Sequence, residues 1–182
     1  TIRDWLPVGV DEYGYAAPDL LNPHFVYGGR SVTRFDYRTG QTANVSPTGR
    51  GGGSGPGALT FRQVRTQPVV FSEADKRTLF FANNYLWKTT DGGINWTRIS
   101  DDPTRTKHVA DKSIGVYTPQ AQSQLDNNQA RVIYTIGPSP LDVNRIWIGT
   151  DDGVIKTTAD GGKVWSDATP SEFGTYWKVF MI

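Results

Sequence analysis

Apolar residues fall in short runs bounded by Gly, Pro, Asn or Asp. Residues 69–71, 79–82, 86–88, 132–136, 146–149 and 154–156 are rich in β-branched and aromatic side chains. That composition and length predict strands. No window of about 11–18 residues carries a convincing helical period, apart from a weak polar one near 120–128. The pattern therefore predicts an all-β chain.

The runs recur in a fixed order. Pro18-Asp-Leu-Leu-Asn-Pro-His-Phe-Val-Tyr-Gly-Gly is followed by Ser31-Val-Thr-Arg-Phe-Asp. Phe71-Ser-Glu-Ala-Asp-Lys-Arg-Thr-Leu-Phe-Phe-Ala is followed by Tyr85-Leu-Trp-Lys-Thr-Thr. Pro138-Ser-Pro-Leu-Asp-Val-Asn-Arg-Ile-Trp-Ile-Gly is followed by Gly153-Val-Ile-Lys-Thr-Thr. Each unit reads as turn, short apolar strand, polar gap, second strand, and such a period marks a repeat architecture. The expected units are four-stranded antiparallel blades of a β-propeller over 12–47, 67–102 and 131–170. Residues 1–8 resemble the last strand of a preceding blade and 175–182 the first strand of a following one. Propellers protect their sheet edges by closing radially, so three to four blades predict a segment of a larger propeller, with a remainder or a partner chain completing it.

Two stretches interrupt the repeat. Residues 48–66 include the Gly-rich Gly51-Gly-Gly-Ser-Gly-Pro-Gly57, and 103–130 are polar and charged. Loops this long in a compact domain are functional or disordered, so both are expected to carry partner contacts. The Gly-rich loop lacks Gly-Lys-Ser/Thr and a following helix, so it is no phosphate cradle. Arg50, Arg62 and Arg65 flank it.

Two octapeptides, Thr89-Thr-Asp91-Gly-Gly93-Ile-Asn-Trp96 and Thr158-Ala-Asp160-Gly-Gly162-Lys-Val-Trp165, share the form Thr-x-Asp-x-Gly-x-x-Trp. Asp and Gly-Gly suit a tight turn, the carboxylate accepting backbone N–H bonds and glycine taking positive φ. The Trp is expected to fold over the turn and bury its ring. The octapeptides resemble the Asp-box, or BNR, repeat of sialidases, sortilin-type receptor domains, xyloglucanase-type glycoside hydrolases and photosystem II assembly propellers. With Arg3-Asp-Trp, Gly14-Tyr-Ala-Ala-Pro-Asp and Thr33-Arg-Phe-Asp-Tyr-Arg-Thr-Gly-Gln41, the chain is most similar to bacterial sortilin-type or BNR-repeat glycosyl-hydrolase-like proteins. The resemblance implies a propeller, a periplasmic or secreted location, and Asp-box acids at the outer rim. It implies no single activity. Asp36-Tyr-Arg-Thr-Gly40 replaces the octapeptide in the first unit, whose hairpin is degenerate.

Composition narrows the chemistry. With no cysteine, 19 Lys+Arg against 18 Asp+Glu and two histidines in 182 residues, disulfides, thiolate chemistry and a nucleic-acid-binding basic stripe are excluded. His24 and His108 lack metal-ligand spacing. No apolar run approaches the roughly 18 residues of a membrane span, and the N-terminus has no signal-peptide h-region. The first residue, Thr1, suggests processing or a longer parent chain. Asn44-Val-Ser46 and Asn95-Trp-Thr97 are formal glycosylation sequons. A glycosidase needs two carboxylates across a sugar bond. Asp151 and Asp152 are the alternative acid candidates, at a strand-to-strand corner, with an Asx-type turn as the plainer role. Tyr85, Trp87 and Trp147 offer sugar-stacking faces, but their strand positions predict blade core. No catalytic set, cofactor or metal is expected. The expected function is a non-catalytic scaffold binding a protein, with a glycan as the other ligand class. The alternative is a fragment of a xyloglucanase-type glycoside hydrolase.

Overall fold

The computed structural model describes residues 8–10, 14–29, 31–47, 61–105, 131–174 and 177–182. The weak helical pattern at 120–128, His108, Arg50, the Gly-rich run and most of the 1–8 strand lie outside these residues. The described residues form twelve strands and no helix. In chain order they are β1 (Ala16–Pro18), β2 (Phe25–Gly28), β3 (Thr33–Asp36), β4 (Gln41–Asn44), β5 (Val69–Phe71), β6 (Leu79–Ala82), β7 (Leu86–Thr89), β8 (Thr97–Arg98), β9 (Ile133–Pro138), β10 (Ile146–Thr150), β11 (Ile155–Thr158) and β12 (Ser166–Asp167). They make three separate four-stranded antiparallel meanders, β1–β4, β5–β8 and β9–β12.

The meanders stack face to face around two apolar clusters. Ala17, Tyr27 and Val32 of the first sheet pack on Val69, Phe71, Leu79, Phe81 and Trp87 of the second. Phe80, Ala82, Leu86 and Ile99 of the second pack on Ile133, Ile136, Ile146 and Ile148 of the third. Successive strand residues point to opposite faces, so Leu79 and Phe81 face backward and Phe80 forward. All four residues of β6 are buried. That is why this strand reads as an unbroken apolar run, the pattern of a strand covered on both sides.

Pairing fixes which residues are equivalent. Tyr27 lies opposite Arg34, Phe80 opposite Lys88, and Trp147 opposite Thr157. The repeated Lys-Thr-Thr suggests that Lys88 matches Lys156, but the ladder places Lys88 level with Thr157. The cause is the β10–β11 corner, where residues 150–154 separate the paired ends Gly149 and Ile155, against 83–85 between Ala82 and Leu86. The longer corner shifts the following strand by one residue relative to the sequence match.

Candidate functional site

The two octapeptides form hairpins joining the third and fourth strands of their sheets. The Thr89 hydroxyl donates to Asp91 Oδ1 at 2.8 Å and accepts from Gly93 N at 3.1 Å. Asp91 also takes Asn95 N at 2.9 Å and Asn95 Nδ2 at 2.8 Å. In the third sheet Thr158 donates to Asp160 at 2.8 Å and accepts from Gly162 N at 3.1 Å. Asp160 collects Lys163 N and Val164 N at 2.9 and 3.0 Å.

These bonds favour the ionised carboxylates. The Asn95 backbone N–H, the Asn95 amide and the Thr89 hydroxyl hold the Asp91 carboxyl down at about 2, below its ordinary 3.8. The Val164 N–H and Thr158 hydroxyl also hold the Asp160 carboxyl below its ordinary value. A folded-state pKa below the unfolded one gives stability that is present above about 3.8 and lost as pH falls through about 2. A carboxyl-detected NMR titration should find Asp91 still ionised at pH 3. In Asp91→Asn the acid limb of the stability profile should be shallower.

Both tryptophans reach across to the preceding sheet. Trp96 Nε1 donates to Val45 O of the preceding sheet at 2.7 Å, and its ring lies 6.2 Å from Phe81. Trp165 Nε1 donates to Ile99 O at 2.9 Å, again one sheet back. The adjoining glycines share these contacts. A Cβ on Gly162, at φ +95°, would lie 2.4 Å from Ile99 O, and one on Gly93, at φ +84°, would lie 2.8 Å from Val45 Cβ. Each hairpin thus ties its own blade to the one before it. The sequence predicts a ring folded over its own turn; the structure adds a bond from each indole to the preceding sheet. A tryptophan in a repeat can serve the preceding unit's surface as well as its own hairpin.

The candidate acids Asp151 and Asp152 are buried, 8% and 1% exposed. Asp151 Oδ1 accepts Val132 N at 2.8 Å. Asp152 accepts the Thr150 hydroxyl, and its Oδ2 accepts Arg105 N at 2.7 Å. Burial pushes the Asp151 carboxyl up. The Val132 N–H opposes this and the neighbouring Asp152 charge adds to it. A raised folded-state pKa gives stability that is present below the unfolded pKa and lost as pH rises through the folded one. Asp151→Asn keeps the acceptor and removes the buried charge, so it should be neutral or mildly stabilising at pH 7. Asp151→Ala leaves the buried Val132 N–H unpaired and should cost roughly 1–3 kcal/mol. Urea melts of the pair will separate the two.

Around this corner the roots of both long insertions meet. Arg62, at the end of the first insertion, donates to Asp102 Oδ2, to Thr104 Oγ1 at 3.1 Å and to Arg131 O at 3.0 and 3.1 Å. Its backbone N–H reaches Asn84 Oδ1 at 2.9 Å. Burial raises the Asp102 pKa, but bonds from Thr104, Arg62 and Asn84 outweigh it and hold the carboxyl below its ordinary value. Arg105 donates its side chain to Asp152 O and Phe173 O, both at 3.1 Å. One guanidinium therefore ties the end of the first insertion to both ends of the second.

Of the three aromatics expected in the core, Trp87 is buried and Tyr85 half-buried, but Trp147 is 44% exposed. It lines an open cleft of about 410 Å³ with Arg145, Thr157, Asp160 and Val164. A smaller cleft of about 260 Å³ between the second and third sheets is lined by Asp101, Asp102, Lys156, Lys163 and Trp165. His24 lies in an exposed turn. Among the described residues no group of three His, Cys, Asp or Glu side chains gathers as a metal site, and no helix is long and apolar enough to cross a membrane.

No protein-family profile matches the sequence, and no curated protein does. The fold does have solved neighbours. A GH74 enzyme of Niastella koreensis superposes with a TM-score of 0.51 at 14% identity, over 87% of this chain and 22% of that one. A GH74 xyloglucanase of Xanthomonas campestris gives 0.49 at 15%, over 86% and 22%. The chain thus spans about a fifth of the length of the enzymes it resembles. At this identity the likeness is one of fold: three consecutive antiparallel four-stranded blades, a segment of a β-propeller.

Proposed function

We propose that the chain is a non-catalytic, extracytoplasmic part of a larger β-propeller, binding a protein through the insertions rooted at one end of its blades. The observation that carries this reading is the convergence of both insertion roots on Arg62. Long loops on a rigid scaffold are where binding residues concentrate, and Arg62 holds the described roots of two such loops together. A glycan is the other ligand class, for which the Lys156–Lys163–Trp165 cleft offers cations and an aromatic face. Neither candidate acid at the β10–β11 corner is free, since each accepts backbone bonds there.

The second reading is a fragment of a glycoside hydrolase. Its support is the fold shared with the Niastella koreensis GH74 enzyme. Reducing-sugar release from xyloglucan and other β-glucans separates the two. The chain and its Asp151→Asn and Asp152→Asn variants should all release none. Release that those substitutions abolish, in variants with unchanged melting curves, would establish the hydrolase. The binding reading is tested by photo-crosslinkers placed in the full chain at Gln63 and Asp101, exposed residues at the roots of the two insertions. Discrete adducts that weaken in Arg62→Ala are expected, and none at either position would remove its support.

A further inference from the structure

Tyr27, Phe80 and Trp147 occupy one register position in three successive blades. Tyr27 and Phe80 are each 1% exposed, because the next blade covers them. Tyr27 meets Phe71 edge-on at 5.5 Å, and Phe80 packs in the isoleucine cluster of the third sheet. Trp147 holds the same position and is 44% exposed, with no described residue laid over its ring.

The hydrogen-bond acceptors repeat in the same way. Val45 N donates to Val32 O, Ile99 N to Leu86 O, and Ala168 N to Ile155 O, so Ala168 is the third member of that series. The carbonyls of the first two receive the indoles of Trp96 and Trp165. The chain's own end continues the series on the inner side. Val179 N donates to Thr150 O at 3.1 Å, as Ile133 N donates to Asn83 O at 2.8 Å. A Cβ on Gly149 would lie 2.4 Å from Val179, and one on Gly137 2.6 Å from Ile182. Residues 179–182 therefore sit where the first strand of a fourth blade belongs.

We propose that the forward face of the third blade is a docking face for a fourth blade of the Asp-box kind. Residues 179–182 supply that blade's first strand, and its hairpin tryptophan donates to the Ala168 carbonyl beside Trp147. The occupant is a sheet carrying Ser/Thr-x-Asp-x-Gly-x-x-Trp. It is not a second copy of this chain docking through its first blade. There Thr42, opposite Phe35, holds the position level with Trp96, and it has no indole to donate. The inference rests on the larger-propeller part of the functional reading. It stands apart from what the insertions bind, so failed crosslinking at Gln63 and Asp101 leaves it intact.

The test extends the full chain in phase. Because Ile182 is level with Ile136, residues 137–174 are appended a second time directly after Ile182. Acrylamide quenching of Trp147, isolated by difference against Trp147→Phe, is the readout. Quenching should fall at least threefold in the extended chain. Most of that protection should be lost when Trp165→Phe is made in the appended copy alone. Appending residues 17–47 instead, which place Thr42 at the tryptophan position, should protect far less. If Trp147 is quenched equally in the extended and original chains, the proposal is overturned. It is also overturned if the original chain self-associates and shields Trp147 without any extension.

Discussion

Gly162→Ala should destabilise the chain by roughly 3–5 kcal/mol, among the largest effects of any single methyl group here. Two costs combine. The residue sits at φ +95°, where an L side chain costs about 1–2 kcal/mol. The added Cβ would also lie 2.4 Å from the carbonyl oxygen of Ile99. That obstacle is backbone of another sheet, so the hairpin must lift off rather than a rotamer turn aside, and the Trp165 bond to the same carbonyl goes with it. Gly40→Ala isolates the first cost, because Gly40 has φ +69° and open space around its Cβ. It should lose only about 1–2 kcal/mol. Gly93→Ala belongs between them, since its nearest obstacle is the Val45 side chain at 2.8 Å. Guanidinium midpoints should rank the three in that order. Equal losses at Gly40 and Gly162 would show that turn conformation alone matters and that the hairpins do not tie the blades together.

The parts of this fold legible in the sequence are those set by short-range chemistry. The turn residues Asp91, Gly93, Asp160 and Gly162, and the apolar runs of β5, β6 and β10, act within a few residues of themselves, and they suffice to set the blade repeat. Strand ends moved by only one or two residues, as with β7 and β11. What was not legible depends on which sheet lies over which. Trp87 and Trp147 read alike as aromatic strand residues. Trp87 is buried because the first sheet covers it, and Trp147 is exposed because no described residue covers its ring. Likewise Asp151 and Asp152 read as acids at a turn. Their burial follows from Val132 and Arg105, reached across 19 and 47 residues. Arg62 read as one of three arginines beside a flexible loop. Only the fold brings Asp102, Thr104 and Arg131 around it.

Truncating the hairpin tryptophans should show that each interface is clamped separately. Trp96→Ala and Trp165→Ala remove a large ring that is only partly buried. Each should therefore cost roughly 2–4 kcal/mol, at or below the range for a fully buried aromatic. Trp96→Phe and Trp165→Phe keep most of the ring and lose the indole bonds to Val45 O and Ile99 O, so each should cost about 1 kcal/mol. Location is the sharper readout. In a stack of repeats each unit contacts only its neighbours, and stability is a sum of unit and interface terms. Trp165→Ala should then speed hydrogen exchange in β9–β12, with the β1–β4 and β5–β8 pairing left protected. Trp96→Ala should free β1–β4 and leave the third sheet seated on the second. Because the two rings serve different interfaces, their costs should add in the double variant within about 0.5 kcal/mol. Uniform loss of protection across all three sheets from either substitution would mean that the segment folds as one indivisible unit. The hairpin tryptophans would then be ordinary core residues rather than ties between blades.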